Sequence, residues 1–424
     1  MGLRVGILAG ACDLHMGGAW TFSATLLETV QAERWPHEFI LLDGLLTEAL
    51  RKAQQELAER KAHPTLKEDG LARVVAAASA HLARKVAGWN SSNAAAGSEK
   101  NEIPFSKAET AAFLEKIARD ERIDIAWLLL PWSDPLALPY IATVWDLEHR
   151  KQPYFPEVST TGWAWAEREA AYSALLPRAA MVITGTETGK KELLHYYRLN
   201  SGNVAVIPFP APSAIVQERP ANENEIKEKY GITGSFLLYP AQFWPHKNHV
   251  NLLRALSLLR GQHGLDFNLV LSGSDKGNQG HVMQAARDLG LAKSVHVPGF
   301  IPRADLNALY RSAMALVFPS FFGPDNFPPL EAFALGCPVI AANVPGASEQ
   351  IGEASLLFDP CVPADIAAKI ALLHRRPRLR AQLIRKGSDI AKRRTPRAYV
   401  AALCAHLDRF ESIRRCWGAA YEHP

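Results

Sequence analysis

The sequence predicts an α/β protein built from two Rossmann-like, doubly wound domains that face each other across a cleft. Three observations carry this. Short apolar runs ending in glycine, proline or polar residues alternate with helical periods, the pattern of parallel strands joined by crossover helices. The alternation runs twice, broken near residue 210 by "VAVIPFPAPS", whose three prolines read as a linker. A chain of 424 residues is also too long for one average domain. The expected boundaries are 1–210 and 211–405, with a last helix, about 406–424, that packs back on the first domain.

The elements follow in order. "LRVGILAG" is a buried strand, Gly17-Gly18 a turn, and "AWTFSATLLETV" a helix, which together open a βαβ unit. "HEFILLDG" is the second strand. Residues 47–122 read as helix-rich, interrupted by the polar, small-residue loop "WNSSNAAAGSEKNE". Strands resume at "IDIAWLLLP", "PYIATVWDL" and "AAMVITGT", and Thr186 is placed as the N-cap of the helix after the last. In the second half "SFLLYPAQF", "FNLVLSGS", "SVHVPGF", "MALVFPS", "PVIA" and "SLLFDP" are strands with helical periods between them.

Composition narrows the class. Apolar content of 48% and charged content of 21% are those of an ordinary globular protein. A net charge of +4, with no Lys/Arg run interleaved with aromatics, argues against nucleic acid as a partner. The basic stretch "HRRPRLRAQLIRKGSDIAKRRTPR" reads as solvated helix faces, or as a surface for an anionic membrane. Five scattered cysteines form no C-x-x-C pair, so neither a zinc knuckle nor a disulfide framework is expected. No run approaches about 20 apolar residues, the length a spanning helix needs. The start, "MGLRVGILAGACDL", is too short in its apolar part for a secretory signal.

Two residues stand out for chemistry. Lys247, in "WPHKNH", follows a strand end, where an ammonium reaches a ligand at the mouth of a sheet. Glu331, in "GPDNFPPLEAF", sits where a helical pattern begins, and the helix N-terminus beside it favours its negative charge. The Gly17-Gly18 turn lets backbone approach a diphosphate or sugar.

The segments "LLYPAQFWPHKNHVNLLRAL", "VPGFIPRADLNALYRSAMALVFPS" and "PPLEAFALGCPVIAANVPGASEQIGEASLLFDP" together resemble the C-terminal domain of family 4 retaining glycosyltransferases, which have the two-domain B fold (GT-B). The first domain resembles theirs more loosely, through "MGGAWTF", "ATVWDLEHR" and "ALLPRAAMVITGTETGKKELLHYY". The resemblance implies that Lys247 neutralises the donor diphosphate and that Glu331, second acid of an E-x7-E motif, clamps the ribose. Three positions depart from the pattern. Ala241-Gln242 stands for a Gly-Arg pair, so Gln242 joins the donor set and His246 or His249 becomes a replacement cation. Gly323 stands for the first acid, so Asp325 and Asn326 are the groups left to hold the sugar. Trp145 stands for a histidine, so Asp146 or His149 takes over its catalytic work.

The implied activity is retaining transfer of a hexose from a nucleotide sugar, a GDP- or UDP-sugar, to a glycan or lipid-linked glycan in cell-surface polysaccharide assembly. No cofactor and no metal are expected, since the chain has no D-x-D; Asp146, Glu148 and His149 are the one alternative ligand set. The expected place is the cytoplasm, at the inner face of the cytoplasmic membrane if the basic stretch binds lipid. Two rival readings are a B-fold sugar-nucleotide epimerase and a nucleotide-sugar-binding protein without catalysis. Side chains near "PGFIPR" are expected to say little about the base.

Overall fold

The computed structural model describes residues 2–9, 18–43, 107–131, 135–161, 163–212, 223–299, 301–323 and 325–418. The polar loop expected near residues 89–102, Gly17 and Pro324 lie outside them.

The strands among the described residues form two six-stranded parallel sheets. The first holds β1 (Arg4–Leu8), β2 (Glu38–Leu41), β3 (Ile125–Leu128), β4 (Tyr140–Thr143), β5 (Met181–Thr184) and β6 (Val204–Val206), in the order β2-β1-β3-β4-β5-β6. The second holds β7 (Phe236–Pro240), β8 (Asn268–Ser272), β9 (Val295–Gly299), β10 (Ala315–Phe318), β11 (Val339–Ala342) and β12 (Ser355–Phe358), in the order β12-β11-β10-β7-β8-β9. Central strands such as "FLLYP" and "ALVF" are buried along almost their whole length, because helices cover both faces of a parallel sheet. "VAVIP" differs from the linker reading: its first three residues pair with β5 as an edge strand, and the prolines begin only where pairing stops.

The order of the second sheet places its switch point between β7 and β10, which pair directly. Chains leave these two strands in opposite directions, so their carboxyl ends open a crevice, the usual ligand position in such sheets. Lys247 follows β7 and Glu331 follows β10.

The domains touch at several points. Helix Pro396–Arg414 crosses to the first domain, where Tyr399 packs against Phe22 and Trp127 and Arg414 pairs with Asp124 at 3.2 Å. Glu349 of the second domain accepts the main-chain N–H groups of Glu187 (2.6 Å) and Thr188 (2.9 Å). That carboxylate caps the first turn of helix Glu187–Tyr197, where a negative charge meets the helix dipole. Thr186 caps the same helix from within, accepting from the Gly189 N–H at 3.0 Å.

Candidate active site

Lys247 lies in a one-turn 3-10 segment, Pro245–Lys247, just past β7. Its carbonyl accepts from the Tyr239 hydroxyl at 2.8 Å, which ties the turn to the strand. Its ammonium lies 5.5 Å from the centre of the Phe318 ring, and among the described residues no carboxylate comes within ion-pair distance of it. Burial pushes the amine down to about 8, against the pull of Asp146 and Glu157. A cation held this way is set to receive an anion.

Glu331 sits differently from the sequence expectation. It is the fifth residue of helix Phe327–Ala334, not the residue before it. Two prolines in the first turn start the helix early, since their fixed φ suits it and their missing N–H groups have no intrahelical partner there anyway. The carboxylate is buried and accepts from Arg303 at 2.9 Å and from the Tyr310 hydroxyl at 2.8 Å. Arg303 also donates to Thr21 of the first domain at 3.1 Å. "PGFIPR" therefore contributes a side chain that bridges the domains, which the sequence reading missed.

Gly323 has a structural reason. Its φ is +110°, and an added Cβ would lie 2.5 Å from the Asn326 side-chain oxygen. A larger residue here would be strained by the φ and would have to displace the Asn326 amide, so glycine suits this turn better than an acid. Asn326 donates back to the Gly323 carbonyl at 2.5 Å, and its own carbonyl accepts from Gln350 at 2.7 Å. Asp325 is turned toward the interdomain linker. It accepts the Phe209 N–H at 3.0 Å and a Gln350 amide hydrogen, and lies 3.5 Å from Arg394. Burial pushes its carboxyl up to about 7, against Arg394 and those hydrogen bonds. These contacts join Asp325 and Asn326 to the protein itself, contrary to the expectation that they stand open toward a sugar.

Gly18 also serves packing: it opens helix Gly18–Ala32, and a Cβ there would come 3.2 Å from the Phe327 ring of the second domain. Gln242 accepts from the Trp244 indole at 3.0 Å.

On the first domain, Asp146 follows β4. Its carboxylate accepts from buried Arg168 at 2.8 Å and from the Glu148 N–H at 3.0 Å. Burial alone would raise this acid, but Arg168 and the N–H hold it below the usual range. Its charge reaches Lys247 and His246 of the second domain. The His149 ring is fully buried against Tyr172 and Trp165, with Nε2 at 3.2 Å from the Tyr197 hydroxyl and 3.3 Å from Glu169. Burial and Arg168 push it down to about 4, so the ring is a neutral core group.

Neither expected replacement cation works as one. His249 stacks on Phe243 at 4.7 Å, and burial pushes it down to about 3. His246 is pushed to about 4 by burial and by Lys247, and its ring meets Glu157 across the cleft. Glu157 is a further polar group the sequence did not single out, and Trp145, singled out there only as standing for a histidine, carries a buried, unpartnered indole N–H.

Among the described residues one trio could surround a metal: His37, Asp408 and Glu411. The Leu3 N–H donates to His37 Nδ1 at 3.0 Å, so in the neutral ring the proton sits on Nε2 and blocks the only nitrogen facing the carboxylates.

Two parallel sheets meeting at their carboxyl ends define a protein of the GT-B glycosyltransferase fold. Solved structures over its whole length agree. Sucrose-phosphate synthase from Thermosynechococcus elongatus superposes with TM-score 0.66 at 15% identity, covering 98% of this chain and 100% of that one. Anabaena Alr3699/HepE in complex with UDP-glucose gives 0.63 at 15% identity, covering 97% and 100%. Residues 222–389 match the sequence family glycosyl transferases group 1. O-antigen chain mannosyltransferase B of Escherichia coli is 28% identical over 187 residues, 44% of this chain and 49% of that protein. The D-inositol 3-phosphate glycosyltransferase of Acidothermus cellulolyticus is 30% identical over 218 residues, 49% and 48% of the two. The match spans about half the length of these two curated relatives. No helix among the described residues is long and apolar enough to cross a membrane.

Proposed function

We propose that this protein is a metal-independent retaining glycosyltransferase of family 4 that moves a hexose from a GDP- or UDP-sugar to a glycan or lipid-linked glycan in cell-surface polysaccharide assembly. One observation carries the reading. The switch point of the second sheet brings together a lysine with no carboxylate partner among the described residues and a buried glutamate, on the segments that follow the two adjacent strands framing the crevice. The O-antigen chain mannosyltransferase relative supports the acceptor class, and the UDP-glucose complex of the Anabaena protein supports the donor class.

In this reading the nucleotide lies on the second domain, with the ribose hydroxyls donating to Glu331. Arg303 and Tyr310 already donate to that carboxylate, but each of its oxygens keeps a second lone pair. Lys247 faces the diphosphate. Transfer breaks the bond between the sugar's anomeric carbon and the phosphate oxygen and forms one to the acceptor oxygen on the same face. The acceptor's proton passes to the departing phosphate. The protein's part is to position the two substrates and to balance the charge that grows on the leaving group. Exposed Arg378, Arg385, Lys392 and Arg393 of helix Pro377–Arg393 give the second domain a basic face suited to anionic lipid.

A thermal-shift screen over GDP, UDP, dTDP and CDP tests the reading. Ligand at about 100 times its dissociation constant adds roughly 2.7 kcal/mol of stability. A raised midpoint with one diphosphate supports the reading, and none with any of the four contradicts it. The turn at Gly323, with Asp325 and Asn326 engaged by protein, is what favours the second reading, a nucleotide-sugar-binding protein without turnover. Such a protein would bind the diphosphate and release none from a donor.

A further inference from the structure

We propose that Glu157 of the first domain reads the transferred sugar, its Oε2 accepting a hydrogen bond from a hydroxyl of the donor hexose. This rests on the nucleotide-sugar reading and adds to it the residue that replaces the missing motif acid.

Glu157 sits in the 3-10 turn Pro156–Val158, on the segment that leaves β4 toward the second domain. Its side chain is 5% exposed. Oε1 is fully used: it accepts the main-chain N–H of His246 at 2.8 Å and the proton on that ring's Nδ1. His246 is fixed in turn, its ring stacked on Phe322 at 3.9 Å with Phe155 at its edge. Oε2 is buried and has no partner. Burial would raise this acid, but the His246 donors, with a smaller pull from its own main-chain N–H, hold it below the usual range, so the orphaned oxygen belongs to a carboxylate. A buried carboxylate oxygen without a donor is costly, and native proteins seldom keep one unless something fills the gap.

The chemistry of the oxygen selects its partner. An ionised carboxylate only accepts, so the partner must carry O–H or N–H. Phosphate oxygens only accept and are repelled. The ribose hydroxyls lie with Glu331, on the β10 side. Glu157 is bonded to the residue just before Lys247, and its charge acts on that ammonium, so it stands at the diphosphate end of the donor. The group attached there is the sugar.

The turn at Gly323 leaves room for such a replacement. Its φ of +110° disfavours a side chain there, and Asp325 and Asn326 hold the linker and Gln350. The second domain thus offers no open carboxylate for the sugar from that turn, and Glu157 supplies one from the opposite wall.

The test is Glu157→Gln. Glutamine keeps a carbonyl for the His246 donors and puts an NH2 where Oε2 was, so the cross-cleft contact stays and the acceptor goes. Nucleoside-diphosphate affinity should stay within about threefold of wild type, and kcat/KM with the intact donor should fall roughly 30- to 100-fold, the loss of one charged hydrogen bond. Monodeoxy donors identify the contact: one of them should lose as much in the wild type, and lose nothing further in the variant. Glu157→Asp, which keeps the charge but shortens the reach, should fall between the two. Equal losses in diphosphate affinity and transfer would overturn the assignment, as would additive losses for every deoxy donor. If the wild type binds no nucleoside diphosphate, the nucleotide-sugar reading fails first and this assignment falls with it.

Discussion

Lys247→Met should make the free protein more stable and the nucleotide-bound protein unreachable at ordinary ligand concentrations. The methionine keeps most of the length and the apolar stem but removes the charge. Holding the ammonium in a cleft that pulls it from 10.5 to about 8 costs the folded chain on the order of 3 kcal/mol near pH 7, at about 1.4 kcal/mol per tenfold in proton affinity. The variant has no such cost, so its midpoint should rise by several degrees. The sign of the pH dependence follows. The unfolded chain keeps this proton to about pH 10.5 and the folded one to about 8, so between those values the folded state binds fewer protons. Wild-type stability should gain from rising pH across that window, and the variant should lack that gain. Binding behaves oppositely. The diphosphate needs the ammonium, so wild-type affinity should fall about fivefold from pH 8 to pH 9, while the variant binds at least ~100-fold more weakly and without that slope. Calorimetric titration and thermal unfolding at pH 7, 8 and 9 read both quantities. A variant that is less stable and binds diphosphate normally would show that Lys247 is a packing residue, and the phosphate assignment would be wrong.

Glu331→Gln keeps shape and one carbonyl for Arg303. Nucleoside-diphosphate affinity should drop by about 1.5–3 kcal/mol with an unchanged circular dichroism spectrum; unchanged affinity would remove Glu331 from the ribose. Gly323→Glu, which restores the motif's acid, should gain nothing and cost roughly 1–3 kcal/mol of stability from the strained φ alone, and a more active, equally stable variant would refute the steric account. Transfer should survive EDTA; loss that manganese or magnesium restores would contradict the metal-free reading.

The two sheets were legible because buried parallel strands write themselves as short apolar runs, and "FLLYP" and "ALVF" do so plainly. The positions of Lys247 and Glu331, just past two strands, are legible as breaks after apolar runs, whereas the helix start at Phe327, marked by its proline pair, lies earlier than the pattern suggests. What escaped depends on long-range partners. Asp325 looks like an open turn acid until the Phe209 amide, 116 residues away, meets it. His149 looks like a cleft histidine until Tyr172 and Trp165 close over it. Glu157 carries only a proline before it as a local signal, and its meaning comes from His246, 89 residues on.

The most direct measurement is release of nucleoside diphosphate from a panel of GDP-, UDP-, dTDP- and CDP-hexoses, with and without glycan acceptors, by the wild type and by Lys247→Met. At least one donor should be turned over by the wild type, faster with an acceptor present, and at least ~100-fold more slowly by the variant. A donor that binds yet releases no diphosphate under any condition, or equal release by both proteins, would contradict a glycosyltransferase working through this cleft.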